Sequence, residues 1–343
     1  MKRIIASFVF IAAAVAAAAQ IRVSAPDIEM ILKAEPGSEL QILYFGNRLS
    51  DLDLANLEAA GVPGHSAYPA YGFGCASEAS LGVTHSDGNL STVLRVEGVT
   101  TEDEPSAKVT RIRLKDTVYP LYVTVCYRAY QDVNMIETWT EIENLEKKPV
   151  TLTRFDSGYL PIRVGDVWLS HIHGTWAAEG LLVQEPLDRG MRVIKNKDGS
   201  RNSHTDHAEV MFSLDGKPQE NAGRVVGAAL CYSGNYELRI DTKDTDYHEF
   251  YAGINPDNSA YKLESKEIFK TPELAVTFSA GGFVSDGGVV FFGCIQNGLQ
   301  GACAHVYLIG RVLAGAEDGH REIIVLGTGV NTYDGKFVTF TFQ

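Results

Sequence analysis

Basic residues, cysteines and long apolar runs are all scarce in this 343-residue chain. It carries 30 lysines and arginines against 43 aspartates and glutamates, a formal net charge of −13, and no cluster of basic side chains. A nucleic acid is therefore a poor partner, because phosphate binding needs a concentrated positive surface. We expect a neutral ligand or a neutral polymer, and no cofactor.

The five cysteines are odd in number and form no CxxC pair. Cys126 and Cys231 lie within apolar strand patterns, where cysteine acts as a small buried side chain, so we expect no disulfide there. A Cys294–Cys303 disulfide is the alternative that the spacing leaves open.

An apolar run of membrane-like character occurs only at the amino terminus. Lys2 and Arg3 precede the run, and residues 17–19 are the small alanines that a signal peptidase accepts. The run from residue 4 to residue 19 is shorter than the roughly 20 strongly apolar residues that a membrane helix needs. We therefore predict a signal peptide over residues 1–19, a periplasmic or secreted bacterial protein that begins at Gln20, and no membrane span.

Alternation with a period of two dominates the rest of the chain. Residues 118–130 and 135–142 are predicted to be long antiparallel strands, joined in a hairpin by a turn at 131–134. Helical patterns are rare, and residues 52–60 indicate one short helix that ends at Gly61. Many strands joined by turns predict an all-β protein with a large antiparallel β-sandwich over residues 20–283.

The tail, residues 284–343, differs from the chain before it. The stretch from Gly281 to Gln343 holds 13 of the 33 glycines, and its apolar runs at 289–292, 323–326 and 337–342 have no consistent period. A shifted reading frame or truncated gene near residue 284 is the interpretation we favour. An extra hairpin that completes the sandwich is the alternative.

Several segments, in order, resemble the amino-terminal domain of a bacterial glycoside hydrolase family 36 α-galactosidase. They are LYFGNRL (43–49), AYPAYG (67–72), WLSHIHGTWAAEGLLVQEPL (168–187), GINP (253–256) and FKTPELAVTFSAGGF (269–283). The resemblance implies the large β-sandwich called a supersandwich. It also implies a retaining mechanism whose two catalytic aspartates lie on a barrel that would begin after residue 283, so we expect no catalytic residue in this chain.

An independent catalytic site would need two carboxyl groups about 5 Å apart on either side of a sugar bond. Glu137, Glu141 and Glu143 follow one strand at alternate positions, which is typical of a solvated sheet face.

The motif HxHxxWxxE (residues 171–179) raises the hypothesis of a zinc site. His171 and His173 would lie on one face of a strand, and Glu179 could supply a carboxylate ligand. The family motif accounts for these residues structurally, so we expect no metal. The clusters at 204–207 and 85–87 contain histidines beside turns and are expected to be solvated.

Aromatic side chains in loops are the candidates for substrate binding, because a ring face stacks on the C–H patches of a sugar. Tyr68, Tyr71 and Trp176 occupy glycine-containing segments that we expect to be exposed. Trp139 and Trp168 lie in predicted strands and are expected in the core.

The resemblance, together with the predicted signal peptide, implies that this chain is the non-catalytic amino-terminal part of an exported α-galactosidase. Its expected ligand is an α-galactoside or another carbohydrate. In full-length relatives a catalytic barrel domain is the partner, and without it an uncovered face would favour homo-oligomers. The alternative is a stand-alone carbohydrate-binding or scaffold protein without hydrolase activity.

Overall fold

The computed structural model describes residues 20–61, 63–72, 77–175, 178–199, 205–285, 288–290, 306–307, 309–310 and 326–327. Nearly all of its regular structure is antiparallel β-sheet, as predicted. The predicted signal peptide, Trp176, Cys75, Cys294, Cys303 and most of the tail lie outside the described residues.

A four-stranded sheet opens the chain, with strand order β1-β2-β3-β4. Its strands are β1 (Gln20–Ser24), β2 (Ile28–Lys33), β3 (Gln41–Asn47) and β4 (His65–Ser66). Helix α1 (Asp51–Ala59) connects β3 to β4. The Ser50 hydroxyl accepts a hydrogen bond from the Asp53 amide at 3.2 Å and so caps the helix. Gly61, with a φ of 58°, follows the last turn, and the predicted short helix is confirmed.

The six-stranded sheet has the order β13-β16-β17-β10-β18, and β5 pairs with β10. Its strands are β5 (Leu81–Thr84), β10 (Val150–Ile162), β13 (Gly190–Lys195), β16 (Tyr236–Asp244), β17 (Tyr247–Ile254) and β18 (Tyr261–Leu263).

The ten-stranded sheet has the order β12-β11-β14-β15-β20-β9-β8-β7-β6, and β19 pairs with β9. Its strands are β6 (Leu94–Glu104), β7 (Ala107–Asp116), β8 (Leu121–Tyr130), β9 (Ile136–Asn144), β11 (Trp168–Thr175), β12 (Ala178–Pro186), β14 (Asp206–Ser213), β15 (Val225–Leu230), β19 (Ile268–Lys270) and β20 (Leu274–Ser279). The predicted hairpin of long strands is β8 and β9, which are antiparallel.

The core lies between the two large sheets. Phe212 of β14 meets Phe250 of β17 edge to face, with ring centroids 5.2 Å apart, and both side chains are fully buried. Leu238 and Ile240 of β16 face the same interior. The alternation of these strands leaves their other residues on the opposite face of the six-stranded sheet.

A second, smaller apolar cluster lies on the other face of the ten-stranded sheet, where Val109, Cys126 and Trp139 are buried together. The predictions that Trp139 and Cys126 are buried are confirmed, and Trp168 is half-buried. Burial raises the pKa of the Cys126 thiol to about 12.

The expectation that Glu137, Glu141 and Glu143 form a solvated face is wrong for Glu137, which is buried. Arg128 donates to Glu137 at 2.7 Å, and its guanidinium lies over the Trp139 ring, 4.9 Å from the centroid. The cross-strand arginines cover this face, because their long side chains lie flat over the rings and carboxylates.

The tail contributes short strands to two small sheets. These are β21 (Val284–Ser285), β22 (Gly288–Val290) and β24 (Ile309–Gly310) in one, and β23 (Val306–Tyr307) and β25 (Leu326–Gly327) in the other. The predicted apolar run at 337–342 lies outside the described residues. In the part of the chain that is described, helices long and apolar enough to cross a bilayer do not occur.

Candidate functional site

Ionisable and aromatic residues alternate with core residues along β16 and β17 and form a polar face on the six-stranded sheet. The polar face is defined by Glu237, Arg239, Asp241, Tyr247, Glu249 and Tyr251, with Tyr159 from β10. Cross-strand register places Arg239 beside Tyr251 and Tyr251 beside Tyr159, so these side chains meet on one surface.

Glu249 lies at the centre of the polar face and is 0% exposed. Its Oε1 accepts hydrogen bonds from the hydroxyls of Tyr247 at 2.7 Å, Tyr159 at 2.9 Å and Ser77 at 2.5 Å. Its Oε2 accepts from Tyr251 at 3.1 Å. Burial and the nearby Glu249 charge raise the pKa of Tyr159 and Tyr251 well above the usual range, and that of Tyr247 to about 12.

Arg239 connects the carboxylates on the other half of the polar face. Its guanidinium contacts Asp156 of β10 in a buried ion pair and Glu237 at 3.1 Å. It also lies over the Tyr251 ring, 4.6 Å from the centroid. Arg154 donates to Glu237 at 3.0 Å from the opposite side.

Asp156 of β10 is a buried carboxyl group of this network. Burial raises its pKa to about 6, because loss of hydration outweighs the attraction of Arg239 and Arg154.

The polar face is covered by the segment that precedes β5. Ser77 binds Glu249, and the Ala79 carbonyl accepts from Arg239 at 3.3 Å. Glycoside hydrolysis needs carboxyl groups on either side of a bound sugar. Glu249 and Asp156 are closed from solvent and held by hydroxyl or guanidinium donors, so this arrangement supports the sheet and offers no position for a substrate.

A cleft of about 470 Å³ lies where the four-stranded sheet meets the two large ones. It is lined from β3, from the segment before and within β4, from the end of β10 and from β15 and β20. The lining residues are Ile42, Leu43, Tyr44, Phe45, Gly46, Asn47, Pro63, His65, Leu160, Pro161, Ile162, Arg163, Val164, Leu214, Arg224, Val226 and Phe278. This size lies in the range of small-molecule binding sites.

His65 connects the cleft to the polar face. Its Nδ1 lies 3.2 Å from the Tyr247 hydroxyl, which in turn donates to Glu249. Partial burial, reinforced by the positive charge of Arg163, lowers the pKa of His65. The Arg163 guanidinium also lies over the Tyr247 ring, 4.5 Å from its centroid.

The three aromatic residues predicted to bind substrate do not come together. Tyr68 is only 4% exposed, and its hydroxyl donates to the Asp156 carbonyl at 3.1 Å, so the expectation that it lies in an exposed loop is wrong. Tyr71 is 57% exposed, and its role stays a prediction. Trp176 lies outside the described residues.

The histidines of the zinc hypothesis have separate partners. His173 Nδ1 lies 2.8 Å from Asp206, whereas His171 is buried beside Arg192. The Glu179 side chain lies outside the described part of the structure. Within the described part, His, Cys, Asp and Glu side chains do not form a group of three or more that could hold a metal ion.

The expectation that loop histidines are solvated is wrong for His85. It is buried and stacks on Tyr119 at 3.7 Å, with Nδ1 2.7 Å from Glu146 and Nε2 3.0 Å from Thr92. His207 is half-buried beside Glu209, and His204 lies outside the described residues.

Sequence reasoning missed the polar face and the cleft. The signal for the polar face was present in YHEFYAG at 247–253, where Tyr, Glu and Tyr alternate with core residues on one strand. No signal for the cleft exists locally, because His65, Arg163 and Phe278 are far apart in the sequence.

Solved structures share this fold. One is an AgaA α-galactosidase variant from Geobacillus stearothermophilus in complex with stachyose, with a TM-score of 0.70 and 24% identity over 77% of this chain and 41% of that chain. Another is the galactosidase domain of the α-galactosidase-sucrose kinase AgaSK, with a TM-score of 0.70 and 22% identity. It matches 77% of this chain and 41% of its own. The fold is therefore that of a β-sandwich domain found in α-galactosidases.

The family is shown by the sequence match. The model of the glycosyl hydrolase family 36 N-terminal domain matches residues 38–264, and this chain belongs to that family. Relatives include α-galactosidase AgaA of G. stearothermophilus, 28% identical over 178 residues, and α-galactosidase Mel36A of Lactobacillus acidophilus, 26% identical over 179 residues. Each match covers 52% of this chain and 24% of the relative. The chain thus spans about a quarter of the length of these relatives.

Proposed function

We propose that this chain is the non-catalytic amino-terminal β-sandwich part of an exported α-galactosidase that acts in α-galactoside metabolism. The observation that carries this proposal is the family match over residues 38–264, to relatives of which the chain covers only about a quarter. The burial of Glu249 and Asp156 supports the non-catalytic role, because neither carboxyl group is open to a sugar.

The test is hydrolysis of p-nitrophenyl α-D-galactopyranoside by the purified chain at high protein concentration. We expect no turnover above the uncatalysed rate, while a full-length family 36 enzyme, assayed in parallel, releases nitrophenol. Turnover that follows the chain through two purification steps, and that is abolished by the Asp156→Asn or Glu249→Gln substitution, would show that the polar face is catalytic.

The proposed partner is a catalytic barrel, as in the full-length family 36 α-galactosidases. In the absence of a barrel, we propose that the chain associates with itself through the face that a barrel would cover. Light scattering after size-exclusion chromatography measures this directly. A strictly monomeric chain over a hundredfold concentration range would contradict self-association.

A stand-alone carbohydrate-binding protein is the second candidate function. The observation that favours it is the cleft, which has the size and the mixed aromatic and polar lining of a ligand site. Binding without hydrolysis, in a chain that is made and stable alone, distinguishes this candidate from a fragment of an enzyme.

A further inference from the structure

The cleft between β3, β10 and β20 is built from groups of three chemical kinds. Tyr44, Phe45 and Phe278 supply aromatic surface, and Phe45 and Phe278 meet edge to face with centroids 6.4 Å apart. Aromatic rings of this kind pack against the apolar C–H faces of a sugar ring. The remaining lining combines aliphatic side chains with a few polar groups, which is typical of small-molecule sites.

The hydrogen bonds behind His65 determine which of its ring nitrogens carries the proton. Glu249 accepts the hydroxyl protons of Tyr247, Tyr159 and Tyr251, so the Tyr247 oxygen has only lone pairs left for His65. With this arrangement of hydroxyl protons, Nδ1 of His65 carries the ring proton and donates to Tyr247, 3.2 Å away. In the neutral ring Nε2 is consequently an acceptor, and no described residue forms a hydrogen bond with it.

The cleft also offers hydrogen-bond donors. Arg163 is exposed, lies over the Tyr247 ring and forms no ion pair with an acidic residue among the described ones. The Asn47 side chain is exposed at the end of β3. Arg224 is different, because it donates two hydrogen bonds to Asp215, from Nε at 3.0 Å and from Nη2 at 2.6 Å. The charge of Arg224 is thereby neutralised, which leaves Arg163 as the cationic donor of the cleft. A single guanidinium can donate hydrogen bonds to the hydroxyl groups of an uncharged sugar, and competition with inorganic phosphate distinguishes a sugar from an anion.

We propose that this cleft binds a neutral carbohydrate of one or two rings, with a ring face against the aromatic wall and hydroxyl groups between His65 and Arg163. The chemistry of the lining gives the class of ligand. The choice of a galactoside as the probe rests on the proposed function. The site is separate from the carboxylates of the polar face, which lie behind His65 and Tyr247 and are buried.

The experiment is a titration of the full chain with methyl α-D-galactopyranoside and with raffinose, followed by isothermal titration calorimetry or by ligand-observed NMR. We expect saturable binding with one site per chain. Asn47→Trp places a large ring in the cleft from an exposed position, and it should weaken binding at least about tenfold. Arg163→Ala and His65→Phe should weaken it by a similar factor, because each removes one polar partner of the sugar.

Arg189→Ala is the matched control, since Arg189 is an exposed arginine that does not line the cleft. Its affinity should equal that of the unsubstituted chain, and thermal unfolding should show that all four variants are folded. Absence of saturable binding to either sugar would overturn the proposal. Unchanged affinity of the Asn47→Trp variant for the sugar would also overturn the proposal. Displacement of the sugar by inorganic phosphate would overturn it as well, because it would identify the cleft as an anion site.

The binding result and the hydrolysis result are independent. Failure of sugar binding leaves the non-catalytic amino-terminal role intact, because that role does not require the cleft to be occupied. Hydrolysis of the nitrophenyl galactoside would overturn the proposed function, and the affinity of Asn47→Trp would still decide whether the cleft is a sugar site.

Discussion

Arg239 of β16 and Asp156 of β10 form a buried ion pair although their strands are not neighbours. β17 lies between them, and the Arg239 guanidinium crosses over the Tyr251 ring to reach Asp156. The pair therefore ties three strands of the six-stranded sheet together on their polar face.

The titration of Asp156 should make stability depend on pH. Its folded pKa of about 6 lies above the ordinary value of 3.8, so the folded chain binds this proton more tightly than the unfolded chain. The contribution of Asp156 to the free energy of unfolding is then greatest below about pH 4. It falls as pH rises to about 6, by about 3 kcal/mol for two pKa units.

Urea unfolding of the unsubstituted chain and of Asp156→Asn, each at pH 4.5 and pH 7.5, measures this contribution. The unsubstituted chain should lose stability relative to Asp156→Asn when the pH is raised from 4.5 to 7.5. Asp215→Asn is the control, because its pKa is lowered by Arg224 at an exposed site and its effect should be small and of opposite sign. A pH-independent difference for Asp156→Asn would contradict the expected titration.

Removal of the Arg239 guanidinium alone should lower the stability of the chain more than removal of both Arg239 and the Asp156 charge. Arg239→Met leaves Asp156 and Glu237 buried without their shared partner, and we expect a loss of about 3–5 kcal/mol in the free energy of unfolding. Arg239→Met combined with Asp156→Asn should recover part of this loss. Arg189→Met, which breaks only an exposed pair with Asp244, should cost less than about 1 kcal/mol. Equal losses for Arg239→Met and Arg189→Met would refute the structural role of the network.

Glu249→Gln should destabilise the chain, because the substitution keeps the shape of the side chain but removes an acceptor oxygen and the charge that lies 3.8 Å from Lys243. The amide nitrogen cannot accept a proton, so at least one of the four hydroxyl donors must rotate away or lose its acceptor. We expect a loss of about 1–3 kcal/mol in chemical denaturation. Glu264→Gln is the control, because Glu264 is exposed and its substitution should leave the free energy of unfolding almost unchanged. An equally small effect of Glu249→Gln would show that the four hydroxyl groups find other acceptors.

Export should remove residues 1–19. The proposal rests on Lys2 and Arg3, the apolar run and the alanines before Gln20. Expression of the full reading frame in a Gram-negative host, followed by intact-mass measurement of the periplasmic fraction, is the measurement. A mass that retains Met1, or recovery only from the cytoplasm, would count against a signal peptide, and Lys2→Glu with Arg3→Glu should reduce export.

Local pattern predicted much of the fold. The alternation in residues 121–144 was sufficient for the β8–β9 hairpin, because one face of each strand is core. Burial of Trp139 followed from its place in that strand. The all-β sandwich followed from the number of such strands and from the motifs of the family.

The predictions that were wrong concerned side chains whose environment is formed by residues distant in the sequence. Tyr68 looked exposed because glycine and proline surround it, yet its hydroxyl reaches the backbone of Asp156, 88 residues away. His85 was expected in solvent, yet Glu146 and Tyr119 enclose it. The polar face was not foreseen because an acidic residue in a strand indicates an exposed face unless the covering segment is known.

The order of strands in the ten-stranded sheet has a consequence for biosynthesis. β20 lies between β15 and β9, so it joins one half-sheet, β12-β11-β14-β15, to the other, β9-β8-β7-β6. Ile136 pairs with Val276, which the ribosome adds 140 residues later. Until then both halves have a strand edge that lacks its native neighbour, and such long-range pairing is slow. A nascent chain that stalls before Leu274 therefore exposes two strand edges that can pair with other chains, and we expect it to aggregate more readily than a chain in which β20 has been made.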